Sequence, residues 1–458
     1  MTLTGIANSE SRITSAQLIA ALRETRARTL ELVADLNEEQ LIGPCLQIVN
    51  PLRWEIGHVA WFQEYWVLRH LGGQPPIIKG GDGLYDSARV AHDTRWDLPL
   101  LETDKTLAYM ERVLERVIEA TYESGNLRDA EGYDQEYFLN LVLLHEQMHD
   151  EAIAYTRQTL SYPPPRIAIV NSAPFAKQDE SLTQTKNDLR NDAEIPAGKF
   201  ILGNTSKQGF AFDNEQLAHE VEIAPFAIAK TAVTNGEFKT FVEEGGYKKR
   251  KLWTAEGWRW RTAASANCPV YWRRKGNDRW SRRNFDEWVE LDERLPVIHV
   301  NWHEANAYCR WANRRLPTEA EWEMAASGEP TTNSHGVAER KRRYPWGDDN
   351  PKLERANLDW RALGCIPVDA LPAGDSAFGC RQMIGNVWEW TASNFKPYPG
   401  FIAGPYKEYS EPWFGDHKVL RGGCWVTRSR LVHNTYRNFY TPDRRDVWAG
   451  FRTCALQP

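Results

Sequence analysis

Three consecutive prolines at 163–165, following Tyr162, divide this 458-residue chain into two stretches with different patterning. A proline gives a helix no backbone donor and clashes with the preceding turn, so no helix runs through this point. Ahead of it, apolar residues recur at helical spacing in four segments. They are SAQLIAALRETRARTLELVADL, with Ser15 as cap, and PLRWEIGHVAWFQEYWVLRHL, stopped by Gly72-Gly73, then LLETDKTLAYMERVLERVIEATYE and YDQEYFLNLVLLHEQMHDEAIAYTRQTL. Four such helices predict an antiparallel bundle, whose core is a natural place for metal ligands.

After the prolines, the polar stretch 172–192 reads as linker. Beyond it come short strand-like pieces, many Gly and Pro, and most of the 20 tryptophans. Two helices are legible there, near TNGEFKTFVEEG and HEANAYCRWANRR. The fold class expected is therefore multidomain, α followed by an irregular, loop-rich α+β part. The length suffices for two or three separate cores.

A net charge of -6 and a pI near 6.1 give no overall basic character for nucleic acid or an anionic membrane. No apolar run is long enough to span a bilayer. The opening MTLTGIANSESRITS has no basic region ahead of an apolar core, so it does not read as a signal peptide. The seven cysteines are scattered and never form C-x-x-C, which argues against a disulfide framework or zinc knuckle. A reducing cytoplasm is the expected location.

His145-Glu146-Gln147-Met148-His149 lies within the fourth helical pattern. Positions i and i+4 share one face, so both imidazoles can reach a single ion. His58 sits mid-helix among Ile56, Val59, Ala60, Trp61 and Phe62, in a segment bound for the core. Taken alone, such a histidine is more often a hydrogen-bonded core residue, and an HxxxH pair arises by chance in many helices. Taken together, His58, His145 and His149 match a three-histidine site with open coordination positions, suited to iron or zinc. The same HExxH string also fits a zincin-type metalloprotease, with Glu146 as general base, although the metzincin extension is missing.

From residue 194 the motifs become long and specific: IPAGKFILGN (195–204), AIAKTAVTNGEF (227–238), PVIHVNWHEANAYCRWANRRLPTEAEWEMAA (296–326), YPWGDD (344–349), GNVWEWT (385–391), VLRGGCW (419–425) and AGFR (449–452). In this order they resemble the formylglycine-generating-enzyme (sulfatase-modifying factor) domain, a C-type-lectin-like fold. The cysteine pair used by the formylglycine-generating enzymes is absent from TRSRLVHNTYRN (427–438), and Cys424 reads as a small buried residue. Formylglycine generation is therefore not expected. A fold alone does not give an activity.

A DinB-like bundle over 1–165, a linker over 166–193 and this domain over 194–458 together resemble the ergothioneine-biosynthesis sulfoxide synthases. WEIGHVAWFQEYWVL and HEQMHDE look like that family's two ligand segments, and GNVWEWTASNFKPYPGF, YKEYSEPWF and RNFYTPDRR like its active-site part. The resemblance implies Fe(II) on His58, His145 and His149. It further implies O2 as oxidant and small-molecule substrates, namely hercynine (Nα-trimethylhistidine) and a sulfur donor joined at imidazole C2. It also implies a tyrosine near the iron as proton donor. Tyr406 is the candidate, with Tyr398 and Tyr409 nearby. Trp413, Phe414, Asn438, Phe439 and Tyr440 are candidates for substrate contact, since aromatic faces attract a trimethylammonium cation.

Donor recognition departs from the family pattern. Met148 replaces a glutamine, Tyr440 stands where users of γ-glutamylcysteine carry an acid, and Arg444 and Arg445 remain. The segment GLYDSARVAHDTRWDLPL (83–100), with Arg89, His92 and Arg95, is similar to that of the selenoneine synthases, which implies a selenosugar donor. Asp, His and Arg side chains suit sugar hydroxyls. A thiol donor, cysteine or γ-glutamylcysteine, is the alternative.

Overall fold

The computed structural model describes residues 14–123, 127–168, 189, 191–206, 210–276, 279–331 and 336–456. The chain forms two compact units. One comprises residues 1–45, 50–149 and 206–211, and the other 46–49, 150–205 and 212–458. Most of the linker read at 166–193 lies outside the described residues.

The first unit is helical. Helix α1 (Ser15–Glu31) is capped by Thr14 rather than Ser15. Thr14 is extended, its hydroxyl accepts from the Gln17 N–H at 3.2 Å, and the Gln17 side-chain oxygen Oε1 accepts from the Thr14 N–H at 2.8 Å. This reciprocal pair satisfies two donors that a helix start leaves open. A short α2 (Glu38–Ile42) precedes α3 (Leu52–Gln63), which continues as a π-helical turn, Glu64–Leu71, and ends at Gly72. A one-turn α4 (Asp82–Tyr85) and a 3-10 turn (His92–Thr94) lie on the way to α5 (Thr103–Glu123) and α6 (Gln135–Thr159). The four long helices fall on the four periodic segments. Every residue of α3 except Arg53 is buried, as expected of a helix apolar on all sides.

The second unit is mixed. Among the described residues its strands form two four-stranded sheets, a two-stranded ribbon and a three-stranded antiparallel sheet. One four-stranded sheet places Asn438–Tyr440, Lys418–Arg421, Trp388–Asn394 and Ala449–Gly450 side by side. Among the described residues four α-helices accompany the strands: Asn235–Glu243, Ala255–Ala263, Trp302–Trp311 and Glu319–Ser327. Sequence patterning revealed the first and third and missed the other two.

The long motifs of this unit meet in a buried polar network. Arg421 bonds Glu319 at 3.0 Å and Glu323 at 2.5 Å, and Arg437 reaches Glu319 at 2.7 Å. Arg452 holds both oxygens of Glu389, which also accepts from the Trp322 indole at 2.7 Å. Breaking one member would strand a buried charge, which explains why the motif carries these charges as a set. All seven cysteines are free. Among the described residues no helix is long and apolar enough to cross a membrane.

Candidate metal centre

Helices α3 and α6 bring three imidazoles together in the first unit. One ring nitrogen from each of His58, His145 and His149 lies within 4.8 Å of the others. The ring centroids are 5.1 Å apart for His58 and His145, 4.8 Å for His58 and His149, and 4.5 Å for His145 and His149. The Nε2 atoms of His145 and His149 are separated by 3.2 Å.

Two of the rings are oriented from behind. His58 Nδ1 lies 2.7 Å from the Tyr85 carbonyl oxygen, which can only accept, so Nδ1 carries the hydrogen and Nε2 keeps its lone pair. His149 Nδ1 contacts the Glu55 carboxylate, which assigns His149 the same tautomer. Such backing by a carbonyl or carboxylate is the usual support for a ligating histidine. Burial acts to raise the Glu55 pKa, but its pairing with His149, with help from Asn50, brings it down to about 2. Burial drives His58 down to about 3 and His145 well below the usual histidine range, so both are neutral at physiological pH. Neutral imidazole is the form that binds a metal.

Aromatic rings close the sides. Trp54 stacks on His58 with centroids 4.6 Å apart, and Phe62 on His145 at 3.5 Å. Gly57 precedes His58, and a Cβ at that position would collide with the Tyr85 ring. Glycine there lets Tyr85 approach closely enough for its carbonyl to reach His58.

Glu146 serves a different purpose. Its oxygens accept from Arg26 Nε at 2.7 Å, Thr29 Oγ1 at 2.9 Å and Gln63 Nε2 at 2.7 Å, deep in the bundle. A carboxylate held by three partners and fully buried is a structural ion pair, which counts against the zincin reading.

The sequence reading missed Glu55 and Tyr85 as supports. Glu55 left a signal, an acid three residues before His58 in an otherwise apolar run. The Tyr85 contribution is a backbone oxygen, which side-chain chemistry cannot announce.

In the 83–100 segment, Arg89 is exposed and pairs with Asp86 at 3.1 Å. The His92 ring lies 5.5 Å from that of Trp96. Arg95 is buried, bonds Asn50 at 2.6 Å and lies over the Trp54 ring. The structure thus divides the three residues read as donor contacts, placing Arg95 in the bundle interior.

In the second unit, Phe439 stacks on Phe395 at 4.0 Å, and Phe414 lies 4.8 Å from Phe395. Trp413 is 41% exposed, its ring 5.3 Å from that of His417, and it donates to the Glu408 carbonyl. Asn438 bonds the N–H of Phe439. Tyr406 begins the 3-10 turn Lys407–Tyr409 with its ring 6.0 Å from that of Tyr409. The Tyr409 hydroxyl lies 3.1 Å from that of Tyr436. Tyr398 packs under Arg437 and reaches Glu319, so it belongs to the buried network. The Arg444 guanidinium is 5.0 Å over the Tyr440 ring and makes two 2.7 Å bonds to Asp446. Arg445 lies 5.3 Å over the Trp260 ring.

Residues 21–153 match the DinB superfamily, and residues 177–456 match the sulfatase-modifying factor enzyme 1-like domain. Bundle and mixed domain thus define a DinB-type unit fused to a sulfatase-modifying-factor domain. The chain is 36% identical over 442 residues to hercynine oxygenase of Mycobacterium tuberculosis, covering 95% of this chain and 98% of that one. It is 35% identical over 448 residues to hercynine oxygenase of Mycolicibacterium thermoresistibile, covering 95% and 94%. The formylglycine-generating enzyme of Streptomyces coelicolor is 32% identical over 63% of this chain and 96% of its own. The chain belongs to the hercynine oxygenase family, and it is an oxygen-dependent enzyme.

Proposed function

We propose that the protein is a mononuclear non-haem iron(II) enzyme that uses O2 to join a chalcogen donor to C2 of the hercynine imidazole. The observation that carries this reading is the cluster of His58, His145 and His149, the first two buried and the third partly so, with His58 and His149 backed at Nδ1. Three imidazole nitrogens fit Fe(II) while leaving coordination positions open. Fe(II) held there supplies the site for O2 and for the donor's sulfur or selenium.

The chain's own residues do the rest. Glu55 and the Tyr85 carbonyl keep the ring nitrogens aimed, and the rings of Trp54 and Phe62 keep bulk water from the ligands. Tyr406 is the proposed proton donor, with Tyr409 the other candidate. The faces of Trp413, Phe414 and Phe439 suit a trimethylammonium cation. Arg89, His92, Tyr440, Arg444 and Arg445 are the proposed donor contacts. Free cysteines suit a reducing compartment, and the cytoplasm is the proposed location.

Kinship with the hercynine oxygenases supports an ergothioneine-type reaction, in which the donor is cysteine or γ-glutamylcysteine. A selenosugar donor is the second reading. One feature favours it: Asp446 already occupies the Arg444 fork, which leaves that fork poorly placed for the carboxylate of an amino-acid donor. The test is competition. Fe(II)-loaded protein receives hercynine, O2 and an equimolar mixture of cysteine, γ-glutamylcysteine and a selenosugar, and products are read by mass spectrometry. A sulfoxide adduct supports the thiol reading, and a selenium adduct supports the second. Unchanged hercynine contradicts both.

A further inference from the structure

We infer that Asn50 and Arg95 are positioning residues that fix His149 in its ligating tautomer through Glu55. The inference rests on the metal reading above. Arg95 Nη1 donates to Asn50 Oδ1 at 2.6 Å, and Asn50 Nδ2 donates to Glu55 Oε1 at 2.6 Å. The other Glu55 oxygen, Oε2, accepts from His149 Nδ1. All four residues belong to the first unit.

The direction of this relay is forced by chemistry. A guanidinium only donates, so the Asn50 oxygen must face Arg95 and its amide nitrogen must face Glu55. An ionised carboxylate only accepts, so the remaining Glu55 oxygen demands a hydrogen on His149 Nδ1. In the neutral imidazole that a metal binds, this leaves the lone pair on Nε2, 3.2 Å from His145 Nε2. Each link is charge-assisted or terminates on a charged group, which makes it stronger than a neutral pair.

Arg95 also lies against the ring that stacks on His58. Its guanidinium carbon lies 3.9 Å from the Trp54 ring centroid, and Trp54 stacks on His58 at 4.6 Å with the rings 10° apart. One buried arginine therefore braces two of the three ligands, one through hydrogen bonds and one through stacked rings. This assigns Arg95 to the metal site rather than to the donor, although it lies within the 83–100 segment.

The test uses full-length protein and Co(II) as the probe, with affinity from chelator competition and geometry from the visible d–d spectrum. Glu55→Ala is expected to weaken Co(II) binding about 10- to 100-fold, the usual effect of losing a support behind a ligand. Asn50→Ala and Arg95→Met are expected to weaken it roughly three- to tenfold and shift the d–d bands, since they act one and two links further out. Glu55→Gln, which keeps an acceptor for His149, should recover part of the loss.

The decisive comparison is the double variant. If Asn50 acts through Glu55, Asn50→Ala adds less than about twofold in the Glu55→Ala background. Full additivity, or lowered thermal stability with an unchanged Co(II) affinity and spectrum, would overturn the relay. His145→Ala separates the two readings. Loss of Co(II) in His145→Ala alongside unchanged Asn50→Ala and Arg95→Met overturns the relay alone. Unchanged Co(II) binding in His145→Ala overturns the metal site and the relay together.

Discussion

The Glu55 carboxylate, on α3, accepts the Nδ1 hydrogen of His149, on α6. The helix that carries His58 therefore also orients a ligand on the neighbouring helix. The two helices cannot shift against each other without disturbing both contributions, so the site and the bundle core are one piece of packing.

Metal should stabilise the fold, because the three imidazoles converge only in the folded bundle. A ligand present at 100 times its Kd adds about 2.7 kcal/mol. Titrating Fe(II) or Co(II) into metal-free protein should raise the Tm of the wild type and leave that of His145→Ala unmoved. Differential scanning fluorimetry under argon measures this directly.

Glu146→Gln should act on stability rather than on chemistry. It leaves Arg26 buried opposite a neutral amide, and breaking such a buried pair costs about 3–5 kcal/mol. Urea unfolding should show that loss, while the folded fraction keeps its metal. A variant of full stability that has lost all activity would instead revive a general-base role.

Gly57→Ala should damage the site without touching a ligand. The new methyl meets the Tyr85 ring, and overpacking of this kind costs about 1–3 kcal/mol. Because the Tyr85 carbonyl holds His58, metal affinity should fall alongside stability. Equilibrium dialysis and thermal melts on one preparation test the linkage.

Tyr406→Phe removes the proposed proton donor while keeping its ring. A positioned acid contributes about 10²–10⁴-fold, so kcat should drop roughly 100-fold or more with KM little changed. Tyr409→Phe is the control. A large kcat loss there, with Tyr406→Phe near wild type, would move the role to the hydroxyl paired with Tyr436.

The sequence announced helices whose apolar residues recur at helical spacing. Helices α1, α3, α5 and α6 stood out by period, and the histidines on α3 and α6 by type and spacing. Glu319–Ser327 was hidden because three of its buried residues, Glu319, Glu321 and Glu323, are acids paired with arginines, so burial there leaves no apolar stripe to read. Ala255–Ala263 was hidden for the opposite reason, with Gly257 its only buried residue. The one-turn α4 is too short for any period to register, yet it supplies the Tyr85 carbonyl. Arg95 was legible as a polar residue in an unusual segment. Its burial against Asn50 and Trp54 depends on contacts 45 and 41 residues away in sequence, beyond the reach of a local pattern.

The most direct test of the central claim is hercynine turnover under controlled metal loading. Metal-free wild type and His145→Ala are each given one equivalent of Fe(II) or Zn(II), then hercynine, donor and O2, with hercynine loss and adduct mass followed together. The account predicts a C2 adduct from wild type with Fe(II) alone, and none from the zinc-loaded or His145→Ala samples. Equal turnover with zinc, or with His145→Ala, would contradict it.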